Sequence, residues 1–260
     1  MKLSVVIRTK NQAPALEFLL KNLTRRYADD VDEIVVIDNL SSDDSKEISL
    51  SYGARFETIE AFSYGGSANF AALQAKHPII VIFSAHAYPV SHDFFRLIRQ
   101  RFAANPKLAG LRCLHNSSDY RQYINGIKAS DDPNKSGLIF AGSAFSKAVW
   151  QQHPFREDVA TFEDKEWTKR VVAAGYDIEL IPAIFNYEIK RSKKQEFFRF
   201  KNDLKGNYQL WHQEVSIFSG FKGFVAVFVR SGIHFFSAIW YALLRLLAII
   251  RFNWNKPHKF

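Results

Sequence analysis

The stretch Leu3–Asn11, LSVVIRTKN, decides the fold. An apolar run, Leu3 to Ile7, ends in the polar cluster Arg8-Thr9-Lys10-Asn11, and Pro14 then opens an amphipathic stretch (Leu16, Leu19, Leu20, Leu23) that closes near Tyr27. The spacing predicts strand, loop and helix. Glu33–Ile37 repeats the pattern, followed by Asp38-Asn39-Leu40-Ser41-Ser42-Asp43 and a short helix ended by Gly53. Arg55–Ile59 alternates as a third strand, and Phe62-Ser63-Tyr64-Gly65-Gly66 leads into a helix starting near Ser67 that carries Asn69. Three β-α units in under 80 residues predict an α/β fold with one mostly parallel sheet and helices on both faces. Ligands of such sheets sit beyond the carboxyl ends of the strands. Polar residues gather there: Thr9 and Asn11, then Asp38 and Asn39, then Gly65 to Asn69.

Further along, Ile79–Phe83 is an apolar strand that stops at Ser84-Ala85-His86-Ala87-Tyr88-Pro89, and Ser91 caps a helix bearing Phe94, Phe95, Leu97, Ile98 and Phe102. Leu108–Leu114 reads as a strand and His115–Ser136 as a polar loop. Leu138–Ala141 reads as a short strand, Gly142-Ser143 as a tight turn, and Ser146 as the cap of a helix that ends before Pro154. In Phe162-Glu163-Asp164-Lys165-Glu166-Trp167, two adjacent acids precede Trp167, Val171 and Ala174 at helical spacing, with Gly175 at the left-handed cap position. Glu163 and Asp164 are therefore expected at a helix N-terminus, where the dipole favours a carboxylate. Acids there also serve simply to complement a helix, so this segment alone does not decide its role. Ile178–Ile181 with Phe185–Ile189 closes a domain expected to span residues 1–190.

Charge separates this domain from the C-terminal residues. Residues 1–185 hold 22 Lys and Arg against 22 Asp and Glu, while residues 186–260 hold 13 against 4, so the tail carries the whole net charge of +9. A basic, aromatic tail over 191–260 fits an anionic membrane surface or a polyanion. Its longest run without a charged residue, Ser231–Leu244, is fourteen residues, short of the ~20 that span a bilayer. Arg230, His234, Ser237, Tyr241 and Arg245, spaced 4, 3, 4 and 4, make one polar stripe on an apolar helix. This predicts an amphipathic helix in a membrane interface, with Trp211, Trp240 and Trp254 at headgroup depth. The other reading packs the helix on the domain or pairs it with a second copy as a homodimer. Apolar density exceeds what base stacking uses, so no nucleic acid is expected as partner. The lone Cys113 lies in an apolar run and reads as a buried, reduced thiol. Five strand-like residues before Arg8 are too few for a secretory core. The expected location is cytoplasmic, peripheral on the inner face of the plasma membrane. No GxGxxG with a following acid, Walker loop, HExxH, GxSxG or paired CxxC occurs, which argues against dehydrogenases, P-loop enzymes, zincins, α/β-hydrolases and zinc ribbons.

Taken in order, LSVVIRTKN (Leu3–Asn11), IVVIDNLSSD (Ile34–Asp43), FSYGGSAN (Phe62–Asn69), VIFSAHAYP (Val81–Pro89) and FEDKEWTKRVVAAG (Phe162–Gly175) resemble the motifs of family-2 glycosyltransferases with the nucleotide-diphospho-sugar transferase, or GT-A, fold. The bacterial rhamnosyltransferase-like branch has a similar RTKN, FSYGxxxN and SAH before proline. The resemblance covers residues 1 to about 190. It implies an inverting transfer from a nucleotide sugar to a hydroxyl of a cell-surface glycan or lipid-linked acceptor, as in lipopolysaccharide or capsule synthesis, with a dTDP-, UDP- or GDP-linked donor. Asp164 would be the general base, and Glu163 would orient the acceptor or hold Asp164. Asp38 would meet the nucleotide base, with Thr9, Asn11, Asn39 and Ser84 lining the donor pocket and Asn69 reaching toward the donor. Gly142, Ser143 and Trp167 would face the acceptor.

The departure from the family pattern comes at the diphosphate. Where relatives place Asp-x-Asp for a divalent metal, Ser84-Ala85-His86 offers no carboxylate, which leaves a Mg²⁺ site incomplete. His86 either ligates Mn²⁺ or meets the diphosphate directly. Lys190 and Arg191 either neutralise the diphosphate in place of metal or form a solvated basic turn. A non-catalytic, membrane-recruited binding subunit is the rival reading. A sugar nucleotidylyltransferase needs a glycine-rich basic signature that Arg8–Asn11 lacks.

Overall fold

Only Arg8 of the first strand escapes full burial, because the sheet is covered on both faces. The computed structural model describes residues 1–189 and 191–258. Its elements are β1 (Leu3–Thr9), α1 (Ala13–Arg26), β2 (Glu33–Asp38), α2 (Ser45–Ser51), β3 (Arg55–Thr58), α3 (Tyr64–Gln74), β4 (Ile79–Ser84), β5 (Ala87–Pro89), α4 (Phe94–Ala104), β6 (Leu108–Leu114), α5 (Ser117–Ile124), α6 (Pro133–Ser136), β7 (Gly142–Ser146), α7 (Lys147–Gln152), α8 (Glu163–Ala173), β8 (Asp177–Tyr187), α9 (Lys193–Trp211) and α10 (Ile217–Trp254). The sheet runs β3-β2-β1-β4-β7-β6-β8-β5. Strands β3, β2, β1 and β4 are parallel, as are β6 and β8, whereas β7 is antiparallel to both its neighbours and β5 to β8. The sheet is mixed and, as expected, mostly parallel, with four parallel pairings of seven.

Alternate residues of the strands feed two cores. Val5, Ile7, Val81 and Phe83 pack with Leu16, Leu20, Phe94 and Phe95 of α1 and α4. Val6, Ile80 and Ile82 pack on the other face with Ala68, Ala72, Val149, Trp167 and Val171 of α3, α7 and α8. The thiol of Cys113 lies wholly within the first core, and burial raises its pKa.

Several local expectations are corrected. Leu138–Ala141 is a turn region and the strand begins at Gly142. The reason is packing: a Cβ on Gly142 would lie 2.7 Å from the Phe185 ring, so glycine there serves close strand contact. The loop His115–Ser136 contains α5 and α6, capped by Asn116 and Asp132. Helix α3 starts at Tyr64, capped by Ser63 rather than near Ser67. The two closing strands are one, β8, and Pro182 falls where its pairing with β6 steps from Ile181 to Ile184, a bulge that needs no N–H from proline.

The chain divides after Trp211 into two units, so α9 goes with the sheet instead of with the tail as expected. Trp211 accordingly belongs to the first unit, with Lys169 Nζ 4.7 Å from its ring centroid. In the second unit α10 is one helix of 38 residues, none of them buried. It is long and apolar enough to cross a membrane, with a mean hydropathy of 1.9 in its most apolar window. The charge-free run understates it because Lys222, Arg230, Arg245 and Arg251 continue the helix without breaking it.

Candidate active site

Three adjacent strands end in buried polar atoms that have no partner among the described residues. Thr9 Oγ1 closes β1, Asp38 Oδ1 closes β2, and His86 Nε2 follows β4. Thr9 and Asp38 are register partners, and both residues are buried. The other Asp38 oxygen accepts from the Ser41 N–H at 2.8 Å, which fixes the carboxylate. Asn39 N–H donates to Thr9 O at 3.0 Å and ties the two strand ends. Asn11 takes a left-handed φ of 49°, and its Oδ1 accepts from Ser42 N–H at 2.8 Å, bridging the first and second loops. An unpaired buried polar group costs roughly 1–3 kcal/mol, and buried polar groups are rarely left so. Three in a row at carboxyl strand ends mark the place for a polar ligand.

His86 is oriented as a neutral ring. Gln12 Oε1 can only accept, so His86 Nδ1 donates to it at 2.7 Å and Nε2 keeps the lone pair. Burial, with the Arg191 guanidinium, draws the imidazole down to about 4.

The acids stand where the sequence puts them. Glu163 and Asp164 open α8 behind Phe162, whose left-handed φ of 67° turns the chain into the helix. Asp164 Oδ2 accepts from Phe140 N–H at 3.1 Å and Oδ1 from Lys165 N–H at 2.8 Å, which holds the carboxylate at the helix end. Glu163 is buried. Burial and the Asp164 charge push its carboxyl up to about 7, against the pull of Arg8, whose Nη1 lies 3.7 Å from Oε1.

Arg8, absent from the sequence-derived site residues, is the hub of this arrangement. Its guanidinium donates to Tyr64 O at 3.3 Å, Ser67 Oγ at 3.1 Å and Phe140 O at 3.2 Å, and it lies 5.6 Å from the Phe140 ring centroid. One side chain thus joins β1, α3, the loop before β7 and α8. A second network was also missed. Arg112 Nη2 donates to Asp119 Oδ1 at 2.6 Å, His115 Nδ1 lies 2.5 Å from Asp119 Oδ2, and both Arg112 and Lys165 Nζ donate to Gly137 O at 2.9 Å. Burial draws Lys165 down to about 8, although Asp164 opposes the shift. The only local signals were Arg8 inside the RTKN motif and Lys165 beside the two acids.

The residues around Arg8, His86 and the start of α8 line one open cleft of about 620 Å³. It is lined by Arg8, Ser84, His86, Glu163, Asp164 and Arg191 together with Arg112, His115, Lys165 and Tyr187. One wall is α9, through Phe198, Arg199, Asn202 and Asp203. A Cβ on Gly206 would lie 2.7 Å from the Phe162 ring, so glycine lets α9 close on the turn before α8. Among the described residues the cleft is lined by five basic side chains, Arg8, Arg112, Lys165, Arg191 and Arg199, and three carboxylates, Glu163, Asp164 and Asp203, while the buried Asp119 behind the lining pairs with Arg112.

Besides Thr9, Asn11, Asp38 and Asn39, which stand at the strand ends and do not line this cleft, four expected site residues lie elsewhere. Asn69 spends its amide on Phe155 O, Glu157 Oε1, Trp150 Nε1 and Phe155 N–H, locking α3 to the loop after α7, so it has nothing to extend toward a donor. Gly142 and Ser143 are buried in β7, with Ser143 Oγ accepting from Ile139 N–H. Trp167 is fully buried on the core side of α8, and its indole N–H is taken by His153 O. Lys190 lies outside the described residues. Among the described residues no three His, Cys, Asp or Glu side chains are grouped to hold a metal, so a divalent cation here would draw most of its ligands from a bound diphosphate and water.

No curated protein matches the chain. Solved structures do. The chain is similar to the mannosyltransferase PcManGT from Pyrobaculum calidifontis in complex with GDP-Man and Mn²⁺, with a TM-score of 0.64 and 17% identity over 83% of this chain and 65% of that one. It is similar to S. aureus TarS in complex with UDP-GlcNAc, with a TM-score of 0.61 and 16% identity over 75% of this chain and 61% of that one. It is also similar to glucosyl-3-phosphoglycerate synthase from Mycobacterium tuberculosis in complex with Mn²⁺, UDP and glucosyl-3-phosphoglycerate, with a TM-score of 0.57 and 12% identity over 79% of this chain and 78% of that one. The chain therefore spans less than two thirds of the length of the first two, and the likeness establishes the GT-A fold. The sequence profile of glycosyl transferase family 2 matches residues 4–162, more than half of the chain, and the chain belongs to that family of glycosyltransferases.

Proposed function

We propose that this glycosyltransferase moves a sugar, with inversion, from a nucleotide-diphosphate donor to a hydroxyl of a cell-surface glycan or lipid-linked acceptor, with Asp164 as general base. The observation that carries the reading is that the Asp164 carboxylate, held by two backbone N–H groups, opens into the cleft that also contains Arg8, Ser84 and His86 at the strand ends. In-line displacement needs a base on the acceptor side of the anomeric carbon and a charge sink on the leaving-group side. Asp164 takes the hydroxyl proton as the new bond forms. Glu163, buried and turned to Arg8, positions α8 and does not touch the acceptor.

For the donor, the free Asp38 Oδ1 is an acceptor only. Uracil and thymine offer such a carboxylate an imide N–H and guanine a ring N–H with an adjacent amino group, whereas adenine and cytosine offer only an exocyclic amino group. This supports a UDP-, dTDP- or GDP-linked donor, and the solved structures of similar fold hold UDP- and GDP-linked compounds. Similarity to the rhamnosyltransferase-like branch favours dTDP. The basic, apolar α10 suits contact with the cytoplasmic face of an anionic membrane, where a lipid-linked acceptor resides. Full-length protein is expected to float with vesicles containing anionic lipid.

The absent carboxylate after β4 favours a second reading, a non-catalytic binding subunit. Turnover decides. Wild-type protein, offered a panel of nucleotide sugars with membrane extract as acceptor source, is expected to release nucleoside diphosphate from one donor. Binding of a donor without release from any would establish the second reading instead.

A further inference from the structure

A cation stands beside the residues that occupy the place of the family's metal motif. Strand β5 pairs with β8 so that Ala87, the residue after His86, faces Tyr187. The Tyr187 ring lies 5.0 Å from that of His86, and Tyr187 OH accepts from Arg191 Nη2 at 3.1 Å. The guanidinium is therefore anchored beside Ser84-Ala85-His86, and all of these but Ala85 line the cleft. Its only hydrogen-bond partner among the described residues is that phenol, so most of its N–H fork stays available. No carboxylate lies within ion-pair distance of Arg191 among the described residues, whereas Arg8, Arg112 and Arg199 each have one. The neutral His86 has no free N–H, since Nδ1 is committed to Gln12.

Resting on the transferase reading above, we propose that the leaving nucleoside diphosphate is neutralised by Arg191 and not by a protein-held divalent cation. The acceptor oxygen bonds to the anomeric carbon while the bond from that carbon to the diphosphate oxygen breaks. The hydroxyl proton goes to Asp164, and the bonding electron pair leaves with the diphosphate. The negative charge gained there grows beside Arg191, whose planar fork matches phosphate oxygens two at a time. A small excess of cations supports it, five lining the cleft against four carboxylates once Asp119, paired with Arg112, is counted. The donor set agrees, because a metal held at Ser84-Ala85-His86 would have one imidazole and no carboxylate from the chain.

The test is sugar transfer from the donor panel to membrane acceptor by full-length wild type, Arg191→Gln and Arg191→Lys, each with chelator or with Mn²⁺, alongside thermal melting. Wild-type transfer is expected to persist in chelator and to gain nothing from Mn²⁺. Arg191→Gln should lose about 10²–10³ in kcat, the usual loss when one group stabilising a developing anion is removed. Its melting temperature should be unchanged, and Arg191→Lys should fall between the two. Transfer abolished by chelator and restored by Mn²⁺ would overturn the proposal while leaving the transferase reading intact. So would a wild-type kcat in Arg191→Gln. No transfer by wild type under either condition would overturn the transferase reading, and this proposal with it.

Discussion

At the ends of β1, β2 and β4 three buried polar atoms are without partners among the described residues, whereas along α8 no buried side-chain polar atom is. The two regions share one sheet edge and differ in how their polar groups are satisfied. At α8 the groups satisfy one another: Thr168 Oγ1 donates to Asp164 O at 2.8 Å and accepts from Leu138 N–H at 3.1 Å, and Arg8 binds three elements to the helix start. That is the condition for chemistry, since a base must be fixed before its substrate arrives. At the strand ends Thr9, Asp38 and His86 are held by neighbours through one atom and leave another free. That is the condition for binding, since the free protein carries a cost that a ligand removes.

The largest effect expected from this division is on rate. Asp164→Asn keeps the shape of α8 but removes the base, so kcat should fall about 10²–10⁴-fold in the transfer assay. A fall in KM-dependent terms alone would place Asp164 with the binding region.

The next effect is on stability against pH. The Glu163 carboxyl is raised from 4.5 to about 7, so the folded protein keeps a proton that the unfolded chain has released. Stability from this group is present at low pH, declines as pH rises from about 4.5 to 7, and is flat above, with a total change of up to about 3 kcal/mol. Chemical denaturation across that range should show the decline in wild type, and Glu163→Gln should abolish it. An unchanged slope in the variant would remove Glu163 from the account of α8.

Two threonine-to-valine substitutions give the smallest effects and the sharpest contrast. Thr168→Val strands the Leu138 N–H and should destabilise by about 1–3 kcal/mol. Thr9→Val removes an unpaired hydroxyl of the same size and should stabilise the free protein by about 1 kcal/mol while weakening donor binding. Equal signs in denaturant titrations would erase the difference between the regions.

The binding region was the more legible in sequence. Thr9 and Asp38 close largely apolar strands, which places them at the carboxyl edge of the sheet. Glu163 and Asp164 were legible as a helix start. The rest of α8's surroundings was not, because the partners are remote: Arg8 meets Phe140 O across 132 residues, and no local pattern encodes such a bond. Burial misled in the same way. Leu138 and Phe140 are apolar and buried, as a strand would be, yet Phe140 serves an aromatic cluster with Phe145 and Phe155 from a turn. Trp167 looked available beside two acids, but its helical spacing to Val171 puts it in the core. Asn69 was recognisable as important from its motif, and only the structure shows that its amide is consumed in joining α3 to the Phe155 loop.

Calorimetric titration of the donor into Asp38→Asn and Asp164→Asn tests the division most directly. Asp38→Asn is expected to weaken binding about 10- to 100-fold, the worth of a charged hydrogen bond, whereas Asp164→Asn should bind as wild type does and fail only in transfer. Wild-type affinity in Asp38→Asn, or lost affinity in Asp164→Asn, would contradict the assignment of binding to the strand ends and chemistry to α8.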